Sequence, residues 1–173
     1  PTPLQGAYQI LSLDFSRVSG QADRLAINFN NYCCGALDDF AFVYEAYYYP
    51  GFKQEMKEQP DATTKINFLD RQARNCGARL YLIIDEYDNF TNVVLNEQGD
   101  EAYHSLTHAS GFYCDVFKMF KGMFERIFMT GVSPITLDDL TSGFNIGWNI
   151  STEPEFNRML GFSEEDVRQM LQY

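Results

Sequence analysis

Residues 79–88 read Arg-Leu-Tyr-Leu-Ile-Ile-Asp-Glu-Tyr-Asp, an apolar run from Leu80 to Ile84 that ends at two adjacent carboxylates, Asp85 and Glu86. So short and so apolar a run predicts a strand buried on both faces of a parallel sheet. Ligands of open α/β sheets bind beyond the carboxyl ends of the strands, so the tip bearing Asp85 and Glu86 is the first candidate site. Acidic residues are also common wherever a strand leaves the core, and the local pattern fits that plainer reading as well.

Two further stretches follow the same plan. Tyr8 to Phe15 and Arg126 to Pro134 each read as a strand followed by a polar break, with helical patterns between them. The order strand, helices, strand, helix, strand predicts an α/β fold with a parallel sheet and right-handed crossovers. The expected division is a core over residues 1–150, with strands near 8–15, 79–85 and 126–133, and short helices over 151–173.

An apolar strand ending in Asp-Glu has the form of a Walker B segment. The wording around it is also specific: Leu-Ile-Ile-Asp-Glu-Tyr-Asp, then Phe-Met-Thr-Gly-Val-Ser-Pro-Ile, Asp-Asp-Leu-Thr-Ser-Gly-Phe-Asn-Ile and Met-Leu-Gly-Phe-Ser-Glu-Glu-Asp-Val. These segments, over residues 80–89 and 127–167, closely resemble the bacterial AAA-ATPase-like family, grouped with the STAND-type P-loop ATPases. The resemblance implies a three-layer αβα domain of the P-loop NTPase kind. It implies that Asp85 holds magnesium through water, that Glu86 polarises the attacking water, and that Thr130 senses the γ-phosphate. Family members commonly carry a nuclease-like domain of the PD-(D/E)XK type downstream.

One part of the family pattern is missing. No Gly-x-x-x-x-Gly-Lys-Ser/Thr occurs in the chain, and that loop supplies the N–H cradle, the lysine and the magnesium-binding hydroxyl for the phosphates. The expectation is therefore the middle of a larger ATPase, an incomplete domain without its first strand and phosphate loop. ATP and Mg2+ would be bound only in the parent protein, through the upstream loop, and the chain alone would be inactive. Removing the first strand would leave residues 127–132 at an open edge, where two copies could associate or which another segment of the chain would fold over and cover.

The formal net charge is −11, which argues against a nucleic-acid surface on this piece, since phosphate backbones are held by clustered Lys and Arg. No apolar stretch approaches the roughly 20 residues of a membrane span, and the expected setting is cytoplasmic, without membrane contact. Cys33, Cys34, Cys76 and Cys114 form neither a Cys-x-x-Cys pair nor a disulfide framework, so reduced structural thiols are expected.

Helices can be placed coarsely. Ser19 is a cap for a helix with Ala22, Leu25, Ala26, Phe29, Cys33 and Ala36 at helical spacing, weakened at Gly35. The aromatic run from Phe40 to Tyr49 carries no clear period. A second helix from about Thr64 places Ile66, Leu69, Ala73 and Cys76 on one face and stops at Gly77. A third carries Ala102, Leu106, Ala109, Tyr113, Val116, Phe117 and Phe120 on one stripe. Thr152 with Glu155 reads as a capping box, and Ser163 as the cap of a last helix with Glu164, Glu165 and Asp166 in its first turn.

Other side chains admit competing roles. Asp88 could join a magnesium shell or hold its own loop by an Asx-type turn, and Thr130 could be a satisfied strand-end threonine. His104 and His108 sit four apart without a third ligand, unlike His-Glu-x-x-His zinc sites. Asp138, Asp139, Ser142 and Gly143 lie in a turn-rich stretch with no assignable task. Two further function classes remain open beside the ATPase fragment. One is a non-enzymatic interaction module on an ATPase-derived fold, and the other a metal-dependent nuclease fragment using Asp85, Glu86 and Asp88.

Overall fold

A computed structural model describes residues 3–18, 24–89, 112–132, 148–151, 153–156, 158–159 and 161–172. Three parallel strands, β1 (Gln9–Asp14), β2 (Leu80–Asp85) and β3 (Arg126–Met129), form one sheet in the order β1-β2-β3. Between β1 and β2 run helices α1 (Leu25–Val43), α2 (Phe52–Glu58) and α3 (Ala62–Cys76); α4 (Phe112–Met123) joins β2 to β3, and α5 (Glu164–Met170) comes last. No described helix is long and apolar enough to cross a membrane.

Both crossovers step the same way across the sheet, and right-handed connections of that kind place their helices on one face. Leu11 and Leu82, with Leu13 and Ile84, line that face and are buried. Phe15, fully buried just past β1, meets Phe29 of α1 at 5.2 Å between ring centroids and Phe117 of α4 at 6.4 Å, both edge to face. Phe52 of α2 stacks between Tyr48 and Phe68 of α3.

The sequence led us to expect β2 buried on both sides. Leu80, Leu82 and Ile84 are buried, but Tyr81 and Ile83 are only half-buried. Among the described residues the helices cover one face of the sheet, so two of the three layers expected for an αβα domain are represented.

Local signals explain most element ends. Gly77 closes α3 at φ 71°, a left-handed conformation that suits glycine. Ser163 and Asp166 exchange bonds in a capping box that starts α5. The α3 start differs from the reading at Thr64: Asp61 accepts the N–H of Thr64 at 2.7 Å, and the Thr64 side chain answers the Asp61 N–H. With threonine in place of the usual Glu or Gln, the box is not conspicuous in sequence. α1 continues through Gly35 to Val43 and takes in the start of the aromatic run, while Ala26 is exposed rather than buried.

Lys65 is buried within the helical layer. Its Nζ donates to Asp38 Oδ1 and to the Met56 carbonyl, both at 2.6 Å, tying α1, α2 and α3 together. At the amino ends of the strands, Arg79 lies over the Tyr8 ring and pairs with Glu125 at 2.5 Å. These three residues, each just before a strand, clasp that end of the sheet. Cys33, Cys34 and Cys76 are free thiols, as expected, and burial pushes Cys33 up to about 12, far from nucleophilic use. Cys76, assigned to the buried face of α3, is instead exposed.

The Ser19 cap, residues 90–111 with His104 and His108, the stretch 133–147 with Asp138, Asp139, Ser142 and Gly143, and the Thr152 cap lie outside the described residues.

Candidate functional site

Asp85 ends the central strand, exposed at its carboxyl tip. Thr130 follows β3 directly, and three bonds hold it against that tip. Its N–H donates to the Ile84 carbonyl at 2.9 Å, its carbonyl accepts from Tyr87 N–H at 3.0 Å, and its hydroxyl donates to Asp85 Oδ1. The β2–β3 ladder thus runs one residue past its regular end and brings together two residues that the sequence separates by forty-five positions. The Glu86 N–H also donates to Asp85 Oδ1, at 3.1 Å.

Glu86 sits beside them at φ 54°, the single non-glycine residue with positive φ among those described. A left-handed conformation is unfavourable for a residue with a Cβ, and its persistence at a strand tip means that the surroundings hold it. The bonds on either side do so: Tyr87 N–H to Thr130, and Asn89 N–H to the Glu86 carbonyl at 3.0 Å. Asn89 also reaches the Phe15 carbonyl with its side-chain amide at 3.3 Å. The half-buried Glu86 side chain is thereby set next to Asp85 instead of continuing the strand's alternation.

Asp88 is fully buried, and its Oδ1 accepts the Val132 N–H at 3.1 Å across the tip. Gly131 passes directly over this pair: a Cβ there would lie 2.5 Å from Asp88 Oδ1 and 2.5 Å from Tyr87 Cε1. Glycine is needed at 131 because of close approach, since the buried Tyr87 ring and the Asp88 carboxylate occupy the space a side chain would take.

A residue the sequence reading passed over stands alongside. Asp14 ends β1 in register with Asp85, on the same face of the sheet, about 4.8 Å away in strand spacing. Its Oδ1 accepts the N–H and hydroxyl of Ser16 at 3.0 and 2.6 Å, and its N–H donates to the Tyr32 hydroxyl at 2.6 Å. Leu13-Asp14 repeats the apolar-then-acid pattern of Ile84-Asp85, and that repetition was the available signal.

Among the described residues no group of three or more His, Cys, Asp or Glu side chains gathers closely enough to hold a metal. With Asp88 turned inward, the three-carboxylate set is not assembled. Asp85 Oδ1 accepts from Thr130 and Glu86, while Oδ2 of this exposed carboxylate meets no described donor and is open to a hydrogen bond from a water.

A family model described as a predicted AAA-ATPase, AAA-ATPase-like, matches residues 1–141. No curated protein and no solved structure matches the chain.

Proposed function

The chain belongs to the AAA-ATPase-like family, and from that premise we propose that it carries the Walker B and sensor segments of a P-loop ATPase whose ATP binding and hydrolysis take place in the complete protein. The observation that carries this reading is the Thr130 hydroxyl bonded to Asp85 at adjoining strand tips, with Glu86 held beside them in a left-handed conformation. Mg2+ with ATP would supply the phosphoryl group and its charge neutralisation. The chain's own residues do the rest. Asp85 would take a magnesium-bound water on its open oxygen. Glu86 would accept a hydrogen bond from, and orient, the attacking water, and the Thr130 hydroxyl, anchored at its backbone on both sides, would report the γ-phosphate. The phosphate cradle is assigned to an upstream loop and the setting to the cytoplasm.

The test uses the full-length protein. Glu86→Gln keeps shape and removes the basic oxygen, so Mg-ATP binding should persist while turnover falls by about a hundredfold or more. Asp85→Ala should weaken the magnesium-dependent part of binding. Unchanged turnover in Glu86→Gln removes Glu86 from the chemistry, and loss of binding together with turnover makes its role structural.

A further inference from the structure

A cavity of about 400 Å³ lies along the outer edge of β1, away from β2, walled by α1. β1 is an edge strand among the described residues, and α1 protects it in an uneven way. The Tyr44 hydroxyl accepts the outward N–H of Ile10 at 2.9 Å, and the Tyr32 hydroxyl accepts that of Asp14 at 2.6 Å. Ser12 lies between them. By the strand's alternation its N–H and C=O also point outward, and no described residue bonds to either.

The helix opposite Ser12 is built to stay clear of it. Between Tyr32 and Tyr44 on the cavity side of α1 come Gly35 and Ala36. Glycine inside a helix is less favourable than alanine, yet an added Cβ at Gly35 would meet nothing within 4 Å. Packing among the described residues therefore does not require this glycine, and its effect is to widen the cavity over the stretch of β1 that no described residue pairs with.

The cavity is also polarised. Arg17, just past the carboxyl end of β1, lines it and makes no ion pair or hydrogen bond with a described residue; the same holds for Asp39, farther along α1 toward Tyr44. α1 runs antiparallel to β1, as the bonds of Tyr32 to Asp14 and Tyr44 to Ile10 require. Arg17 thus marks the carboxyl end of the groove and Asp39 lies toward its amino end.

We propose that this groove binds a short peptide with a free C-terminal carboxylate, laid parallel to β1, its backbone pairing with Ser12 and its carboxylate on Arg17. Backbone pairing to an exposed edge gives affinity without regard to side chains, and the guanidinium gives polarity and end recognition. Asp39 receives the amino terminus when the peptide is only two or three residues long. The site lies on the far side of β1 from the candidate nucleotide tip and does not depend on that assignment.

Trialanine and its C-terminal amide are the probes, titrated into the chain while backbone amide resonances are followed. Trialanine should shift the Ser12 amide and saturate below about 10 mM. Its amide should bind at least about tenfold more weakly, since the charge-assisted bond to Arg17 is lost. Arg17→Gln should show the same loss for trialanine and no further loss for the amide. Gly35→Leu should abolish binding with helix content retained by circular dichroism. Equal affinity for the two peptides, no Ser12 shift up to that concentration, or unchanged binding in a folded Gly35→Leu variant would each overturn the proposal.

Discussion

Replacing Gly131 by alanine perturbs the tightest contact at the sheet's tip. The new Cβ would stand 2.5 Å from Asp88 Oδ1 and 2.5 and 2.6 Å from two carbons of the Tyr87 ring, about 1 Å short of ordinary contact. Neither neighbour can swing away. Tyr87 and Asp88 are both buried, Tyr87 N–H is bonded to the Thr130 carbonyl, and Asp88 Oδ1 to Val132 N–H. Relief must come from displacing residues 130–132. Overpacking of this kind costs about 1–3 kcal/mol, and a buried carboxylate robbed of a donor adds about 1–3 kcal/mol. Because the two losses share one displacement, we expect about 3 kcal/mol in total. Urea unfolding followed by circular dichroism measures it, with Gly122→Ala as the control: that site has nothing within 4 Å, and the change should be neutral or stabilising by up to about 1 kcal/mol. A Gly131→Ala protein within about 0.5 kcal/mol of the parent chain would refute the claim that the strand end is clamped over Tyr87 and Asp88.

Three more outcomes follow from particular contacts. Asp38→Ala leaves the buried Lys65 ammonium with the Met56 carbonyl alone and should destabilise by about 2 kcal/mol; Lys65→Met, which removes the charge as well, should lose less, and the reverse order in urea unfolding counts against the ion pair as the cause. The Arg79 guanidinium, first by its hydrogen bond, holds the Glu125 carboxyl down at about 2, below its unfolded value near 4.3. The stabilisation is therefore complete above about pH 4.3 and fades as pH falls toward 2. Chemical denaturation at pH 6 and pH 2.5 should accordingly show Glu125→Gln less stable than the parent by a smaller margin at the lower value, and an equal gap at both would contradict the pairing. β3 has no described strand on its outer side, and no charged residue occurs between Ile127 and Ile135, so we expect self-association there. Sedimentation at rising concentration should show dimers that Phe128→Lys suppresses, and a chain monomeric throughout rules this out.

Much of the sheet was legible because its signals are local. A run such as Leu80 to Ile84 has no stable place outside a core, and a polar residue after it marks the strand's exit; the same holds for Leu13-Asp14 and for Met129-Thr130. Gly77 and Ser163 were readable because a left-handed turn and an N-cap depend on one residue each. α2 was missed, since seven residues hold too few turns for a period to emerge, and the Asp61 box was missed because threonine stood in its third position.

The sequence by itself determined that three strands end in polar tips and that Asp85, Glu86 and Thr130 belong at them. Only the tertiary structure decided which tips adjoin, because parallel pairing joins residues through helices that carry no register information. Asp14 beside Asp85, the Thr130 hydroxyl on Asp85, Asp88 turned inward to Val132, and the two tyrosines bonded to the edge of β1 all arise from that pairing. A side chain's chemistry is written in its own residue type, whereas its partner is set by the contact that folding makes.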